Sequence, residues 1–366
     1  MSEGPISETE ADRLLAKLDR FPHLAIAVSG GPDSLALLHI CASWARRHGR
    51  RLPQALTVDH GLRPEARAEA EAVAGIAHRL GLRHAILTWD HGTIGSGLQT
   101  RARQARYDLM AAYCTAQGIG ALLTAHHLDD QAETFLMRLK RGSGLDGLAA
   151  IPEEGHWAGL TLLRPLLDTP KARLIATAKA AALPVMLDPS NDDTKFERVR
   201  VRSNMEALAE AGLTPSAIAL SARRLRRARA ALDETADCFL TAHCEPSPFG
   251  YASVSRQALA DTPEDIALRA ISRIIGCVGG LVEPVQLAKL EDVFAALKAR
   301  PDKTQTLGGC QIVPAKGSLF FFREMRAGVL PRCALQPNQP LLWDNRFRLE
   351  LGAEKVGGAE NSNITV

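Results

Sequence analysis

Residues 24–42 read LAIAVSGGPDSLALLHICA. The apolar run Leu24–Val28 has strand character and breaks into Ser29-Gly30-Gly31-Pro32-Asp33-Ser34. A helical pattern follows, with Leu35, Leu38 and Ile40 on one side and Ala36, Leu37 and Ala42 around them. A strand, a glycine turn and a helix start form a geometry that holds phosphates. Backbone N–H groups at a helix N-terminus carry partial positive charge, and glycines let oxyanions approach the main chain. No G-x-x-x-x-G-K-[ST] is present, so this is not a Walker A loop. An aspartate, Asp33, stands in the loop instead of a lysine. An acid beside phosphates makes sense if it reaches Mg²⁺, or if the loop grips released pyrophosphate. The plainer alternative is a polar turn capped by Ser34.

Working outward, strand-like runs recur at 24–28, 55–58, 85–88, 121–124 and 184–187. Helical patterns separate them at 34–48, 65–80, 98–117, 129–140 and 170–182. This alternation predicts an α/β fold, a doubly wound parallel sheet covered on both faces, with ligands outside the strand carboxyl ends. Each motif begins where a strand stops: SGGPDS after the first, DHGLR after the second, AHHLDDQAET after the fourth. All should therefore lie on one rim, with Asp33 and Asp130 facing a common centre. After residue 203 the pattern becomes Ala/Leu-rich and helical to about 300 without an obvious strand. Runs such as Gln311–Val313, Leu319–Phe322 and Arg346–Leu349 suggest a small β-rich piece. The expected organisation is a catalytic domain at 1–203, a helical domain at 204–300, a β-rich region at 301–352 and a tail at 353–366.

Composition is that of an ordinary globular chain: 46% hydrophobic, 23% charged, net charge +3. Whole-molecule charge therefore says little about partners, and local clusters must. No apolar run approaches the ~18 residues that span a bilayer, and the acidic start MSEGPISETEADRLL carries no signal segment. Seven scattered cysteines, never C-x-x-C, argue for reduced thiols in a cytoplasm. They also argue against a cysteine-ligated zinc or iron–sulfur site.

The second cluster, Ala125–Thr134, opens a helix whose Ala132, Phe135, Leu136 and Leu139 should face the sheet. Asp129, Asp130 and Glu133 gather over its first turn. One acid there would merely complement the helix dipole; three acids and two histidines (His126, His127) exceed that need. A zinc site competes, but adjacent histidines diverge, and Mg²⁺ held by one carboxylate and phosphates is easier to build. Gly142–Gly147 fits G-x-G-x-x-G but follows a helix, so it is a loop bounded by Arg138, Lys140 and Arg141 rather than a dinucleotide fingerprint. On the preceding helix Arg103, Arg106 and Tyr107 share a face.

The hexad SGGPDS resembles the SGGxDS signature of the N-type ATP pyrophosphatases, the PP-loop superfamily. With VDHGLR (58–63), ARQARY (102–107), AHHLDDQAET (125–134), RGSGLDGL (141–148), RPLL (164–167), DPSN (188–191) and FERVRVR (196–202), the first 200 residues resemble the tRNA(Ile)-lysidine synthase family. The resemblance implies a PP-loop fold of the adenine-nucleotide α-hydrolase type and an ATP-dependent ligase. Such an enzyme joins L-lysine to C2 of the first anticodon cytidine of tRNA(Ile) through an adenylated intermediate. ATP and Mg²⁺ are the implied cofactors, tRNA(Ile) with a CAU anticodon and free lysine the partners, and a homodimer is compatible with it.

By the same resemblance Ser29, Gly30, Gly31, Pro32, Asp33 and Ser34, with Asp59 and His60, bind ATP, and Asp33 holds Mg²⁺. Free lysine's ε-amine has a pKa near ~10.4, so deprotonation at pH 7 costs roughly 4–5 kcal/mol. Asp130 is the expected base, Glu133 suits the α-ammonium, and Arg103 and Arg106 complete the lysine site. Arg198 and Arg202 face AMP, phosphate or carboxylate, since guanidinium grips such oxygens bidentately. Either His126 or His127 steadies the intermediate. Two departures stand out: Val199 replaces the family's Asn in R-N-x-x-R, and Ala66 its serine after HGLR. Arg141 and the run SARRLRRARA (221–230), with Arg223, Arg224, Arg226, Arg227 and Arg229, read as tRNA contacts. The alternatives are another PP-loop enzyme, such as a tRNA thiolase or an amide-forming synthetase, and a non-catalytic nucleotide-gated RNA-binding protein. The thiolase typically needs a cysteine pair or cluster that this chain does not offer.

Overall fold

The computed structural model describes residues 4–62, 64–92, 97–186, 197–281, 284–325, 332–336, 339–351 and 364–365. Arg63, the DPSN stretch at 188–191, Phe196 and nearly all of the 353–366 tail lie outside the described residues. The chain divides into two compact units, residues 1–227 and 228–366.

In the first unit the strands are β1 (Leu24–Ala27), β2 (Gln54–Asp59), β3 (His84–Thr88), β4 (Ala121–Leu123), β5 (Glu154–Trp157) and β6 (Leu160–Leu163). The helices are α1 (Glu8–Leu15), α2 (Pro32–Arg47), α3 (Ala66–Arg79), α4 (Leu98–Ala116), α5 (Leu128–Lys140), α6 (Leu145–Leu148), α7 (Lys171–Ala180), α8 (Glu197–Ser203) and α9 (Met205–Glu210). A long helix, α10 (Pro215–His243), begins in this unit. The sheet order is β3-β2-β1-β4-β6-β5, parallel except for β5. Successive strand residues point to opposite faces, and both faces are apolar. Ile26, Ala55 and Leu123 enter one core with residues of α1, α2, α3 and α7. Ala25, Leu56 and Leu122 enter the other with Tyr107, Met110, Ala111 and Cys114 of α4. Thus α2 and α4 lie on opposite sides of the sheet.

The expected strand at 184–187 is not one: Pro184 to Met186 have no regular structure. Pro184 has no N–H for a ladder, and Met186 N–H donates instead to Gly30 O at 3.0 Å. The hairpin β5–β6 completes the sheet. Its alternately exposed EGHW strand is marginal for β propensity, which hid it.

In the second unit β7 (Cys244–Pro246), β8 (Ala252–Ser255), β9 (Gln305–Leu307), β10 (Cys310–Ala315) and β11 (Ser318–Arg323) form an antiparallel sheet, order β7-β8-β11-β10-β9. Helices α11 (Arg256–Asp261), α12 (Glu264–Gly279) and α13 (Leu287–Ala299) accompany it. The absence of strands expected across 204–300 is therefore corrected by β7 and β8. Each is only three or four residues, too short to show alternation. Val254 and Leu259 share one core with Ile271, Ile312 and Phe321. That core draws together residues from both regions expected after 203.

Candidate active site

The SGGPDS loop is shaped by three local features. Gly30 takes φ +86°, and a Cβ there would stand 2.2 Å from Met186 Cε, so only glycine fits without strain. Pro32 occupies the first turn of α2 with Gly31 as its N-cap, which leaves the N-terminal amides uncapped by side chains. Ser34 Oγ donates to Gly31 O at 3.0 Å and accepts from Ser29 N–H at 3.2 Å. The result is a closed loop over a sixteen-residue helix, a receptor for anionic oxygens.

Strands β1 and β4 are neighbours, with Ala25 opposite Leu122, so the loops after them abut. His127, the N-cap of α5, joins them. Its side chain is 4% exposed and lies among three carboxylates. Nε2 is 3.5 Å from Asp33 Oδ2 and 3.5 Å from Asp130 Oδ2, and Nδ1 is 3.5 Å from Asp129 Oδ2. Burial opposes its charge, yet Asp129, Asp33 and Asp130 hold its pKa up at about 10. Asp130 accepts the His127 backbone N–H at 3.0 Å. Burial would raise its pKa; the charges of His127, His126 and Arg198 keep it below the usual carboxylate value. Asp129 is also held low, against burial, by His127 and by the Lys171 N–H at 2.9 Å. His126 differs: Nδ1 meets Thr124 Oγ1 at 2.8 Å. Burial, with Arg164, Arg103 and Arg198 outweighing Asp130, lowers its pKa to about 4. One histidine of the pair is a cation, the other neutral.

The arginines of α8 complete the centre. Glu133, 2% exposed, takes Arg202 Nε at 2.7 Å and Nη2 at 3.3 Å, and Arg198 Nε at 3.3 Å. Arg198 Nη1 also lies 3.8 Å from Asp130 Oδ1, and Nη2 donates to Thr134 Oγ1. Beside Glu133 is a cavity of about 100 Å³ lined by Asp129, Glu133, Lys171, Arg202, Met205 and Pro215. Nothing in the spacing of the sequence marks Lys171 or Met205 as site residues.

Through His127, Asp33 and Asp130 thus join Glu133, Arg198 and Arg202 in one ion-paired set. Asp59 is buried and caps its own turn by accepting Gly61 N–H at 2.9 Å. His60 accepts from Arg106 at 3.1 Å. Among the described residues neither Arg103 nor Arg106 is ion-paired with Asp130 or Glu133. Arg141 pairs with Glu197. Arg223 stands 3.5 Å from Asp168 and Arg229 3.3 Å from Asp233. Arg224 and Arg227 are exposed, and Arg226 is half-buried with an Nε that has no partner. Asp33 Oδ1 is likewise buried without a partner, which fits a hard cation. Among the described residues no three His, Cys, Asp or Glu are arranged to hold a metal by themselves, so phosphate oxygens would share it.

Comparison with known proteins agrees with this geometry. A PP-loop domain family matches residues 5–208. The tRNA(Ile)-lysidine synthase of Methylobacterium nodulans is 47% identical over 319 residues, covering 83% of this chain and 92% of that one. That of Bradyrhizobium diazoefficiens is 42% identical over 340 residues, covering 86% and 94%. The one from Wolbachia pipientis is 35% identical over 326 residues, covering 88% and 76%. Among solved structures, the U34-tRNA thiolase NcsA of Methanococcus maripaludis shares the fold, with a TM-score of 0.50 at 18% identity over 60% of this chain and 78% of that one. No helix among the described residues is long and apolar enough to cross a membrane. With its phosphate loop, carboxylate cluster and paired arginines in one centre, the chain belongs to the PP-loop family of tRNA(Ile)-lysidine synthases.

Proposed function

We propose that the chain joins L-lysine to C2 of the first anticodon cytidine of tRNA(Ile) bearing CAU, so that the tRNA reads AUA as isoleucine. The observation that carries this reading is His127, which ties Asp33 of the phosphate loop to Asp130 through 3.5 Å contacts. Nucleotide and amine chemistry then share one centre.

ATP lies with its phosphates on Ser29–Ser34 and the α2 N-terminus, and cytosine O2 attacks the α-phosphorus as pyrophosphate leaves. Asp33 would hold Mg²⁺ together with phosphate oxygens; that ion, when bound, offsets phosphate charge. His127 keeps Asp33, Asp129 and Asp130 together while remaining cationic. In the second step the ε-amine of lysine attacks C2, Asp130 takes its proton, and AMP departs with O2. The substrate's α-ammonium binds Glu133, and the cavity walled by Met205 and Pro215 takes its aliphatic part. Glu133 is already doubly paired, so lysine displaces an arginine, which turns to the departing AMP. Arg224 and Arg227 contact tRNA, and the seven unpaired cysteines suit a cytoplasmic setting.

The test is incubation of the protein with ATP, unmodified tRNA(Ile) and radiolabelled lysine. Label entering RNA only with ATP supports the reading. ATP cleavage without RNA labelling, or sulfur transfer instead, overturns it.

A further inference from the structure

Three cations on the α4 side of the sheet form no ion pair with the carboxylates of the reaction centre among the described residues. Arg103 is exposed and lies over the Tyr107 ring, 5.1 Å from its centroid. Arg106 donates to His60 Nε2 at 3.1 and 3.3 Å. Arg164, just past β6, is 8% exposed; its Nη1 donates to Pro152 O at 2.9 Å, and its Nε is buried without a partner. Among the described residues none of the three meets a carboxylate. Burial, reinforced by the charge of Arg103 and opposed by Tyr107, lowers the pKa of Arg164. Arg103 and Arg106 are exposed, whereas Arg164 is buried; a guanidinium buried without a counter-ion is costly, so the cluster suits an anion that arrives from outside.

That anion is not the triphosphate. The phosphate loop feeds α2, which packs on one face of the sheet, while Arg103 and Arg106 ride on α4 against the other. Beside them lies an aromatic step. Trp89 follows β3, its backbone N–H donating to Asp59 O at 2.9 Å. Its ring is 4.3 Å from that of His91 and 6.0 Å, edge-on, from that of His60. His91 Nε2 meets His60 O at 2.9 Å, and His60 Nδ1 is buried with no partner. Half-buried Trp89 therefore adjoins the Arg106 guanidinium through His60, the pairing of stacking face and cation that suits single-stranded nucleic acid.

We infer that Trp89, Arg103 and Arg106 seat the anticodon-loop nucleotide adjacent to the target cytidine, its phosphodiester on the arginines and its base stacked on Trp89. The assignment rests on the lysidine reading above, which supplies the RNA. Enzymes that act on one base must take it out of its stack, and a neighbour held by stacking keeps the exposed base in place. Arg164 adds fixed charge behind the phosphate.

The experiment uses the full chain and a fluorescein-labelled anticodon stem-loop bearing CAU. W89A should weaken RNA binding by about 5- to 150-fold, the range spanned by one stacked base, and W89F should recover most of it. The RNA should quench the tryptophan emission of the wild type more than that of W89F. R103Q/R106Q should flatten the salt dependence by about 0.7 per lost phosphate contact. Unaltered RNA affinity in W89A overturns the assignment. So does a loss that falls on the α,β-methylene analogue of ATP, which would place adenine on Trp89. A raised lysine KM in R103Q/R106Q would instead give those arginines to the amino acid's carboxylate and refute the phosphate seat. Wild-type lysine incorporation, measured alongside, separates failure of this inference from failure of the lysidine reading.

Discussion

Asp130→Asn separates the two half-reactions. The substitution keeps the side-chain shape and an oxygen that can accept the His127 backbone N–H, now at 3.0 Å. His127 retains Asp33 and Asp129, each at 3.5 Å, so the loop junction holds. What disappears is the acceptor for the lysine proton. A positioned base contributes about 10²- to 10⁴-fold. Without it the amine must arrive neutral, which at pH 7 costs roughly 4–5 kcal/mol for a pKa near ~10.4. Lysine transfer should therefore fall by about 10²- to 10⁴-fold while tRNA adenylation stays within a few-fold. The residual transfer should climb about tenfold per pH unit from 7 to 9, because the neutral amine becomes tenfold commoner. Rapid-quench kinetics with α-labelled ATP and unmodified tRNA resolve both steps, and adenylated RNA should accumulate in the variant. Equal loss of adenylation, or a flat pH profile, would show that Asp130 serves the nucleotide instead.

Asp33→Asn should abolish adenylation and transfer together, since it removes the one unpartnered buried carboxylate oxygen at the phosphate loop; pyrophosphate release measures this, and intact release refutes it. Glu10 binds Arg173 through two 2.8 Å contacts and its pKa is lowered to about 2, chiefly by that bond. Its folded pKa lies below the ordinary 4.5, so the stability it adds is present above pH 4.5 and lost as pH falls toward 2. E10Q should cost about 1 kcal/mol at pH 7 in urea melts, the pair being partly solvated, and the gap to wild type should close on acidification. Replacing Arg223, Arg224 and Arg227 by Ala should lower the slope of log K against log salt for tRNA by about 2–3. An unchanged slope would remove α10 from the RNA interface.

Much of the first unit was legible because buried parallel strands are continuous apolar runs, as in Leu24–Val28 and Ala121–Leu123. The β5–β6 hairpin was not, since an edge strand such as EGHW alternates with polar residues and carries no strong propensity. Val185 and Met186 looked like strand for the opposite reason: they are apolar, yet Met186 serves to pin Gly30. At the site, the SGGPDS turn announced itself through its glycines and its place after a strand. The bond between Arg202 and Glu133 spans 69 residues and only the family resemblance hinted at it. That His127 is cationic and His126 neutral depends on which ring faces three carboxylates, which no spacing reveals. Arg164 stood in a quoted motif without a role; its signal was a lone guanidinium closing an apolar strand.

In the proposed reaction cytosine O2 is activated by ATP and then leaves with AMP as lysine takes its place. Transcribing tRNA(Ile) with ¹⁸O at O2 of that cytidine, and weighing the AMP formed with lysine and without it, tests this directly. One ¹⁸O in the AMP for each lysine incorporated is the expected result. AMP that draws its new oxygen from water, with ¹⁸O still in the RNA, would rule that reaction out.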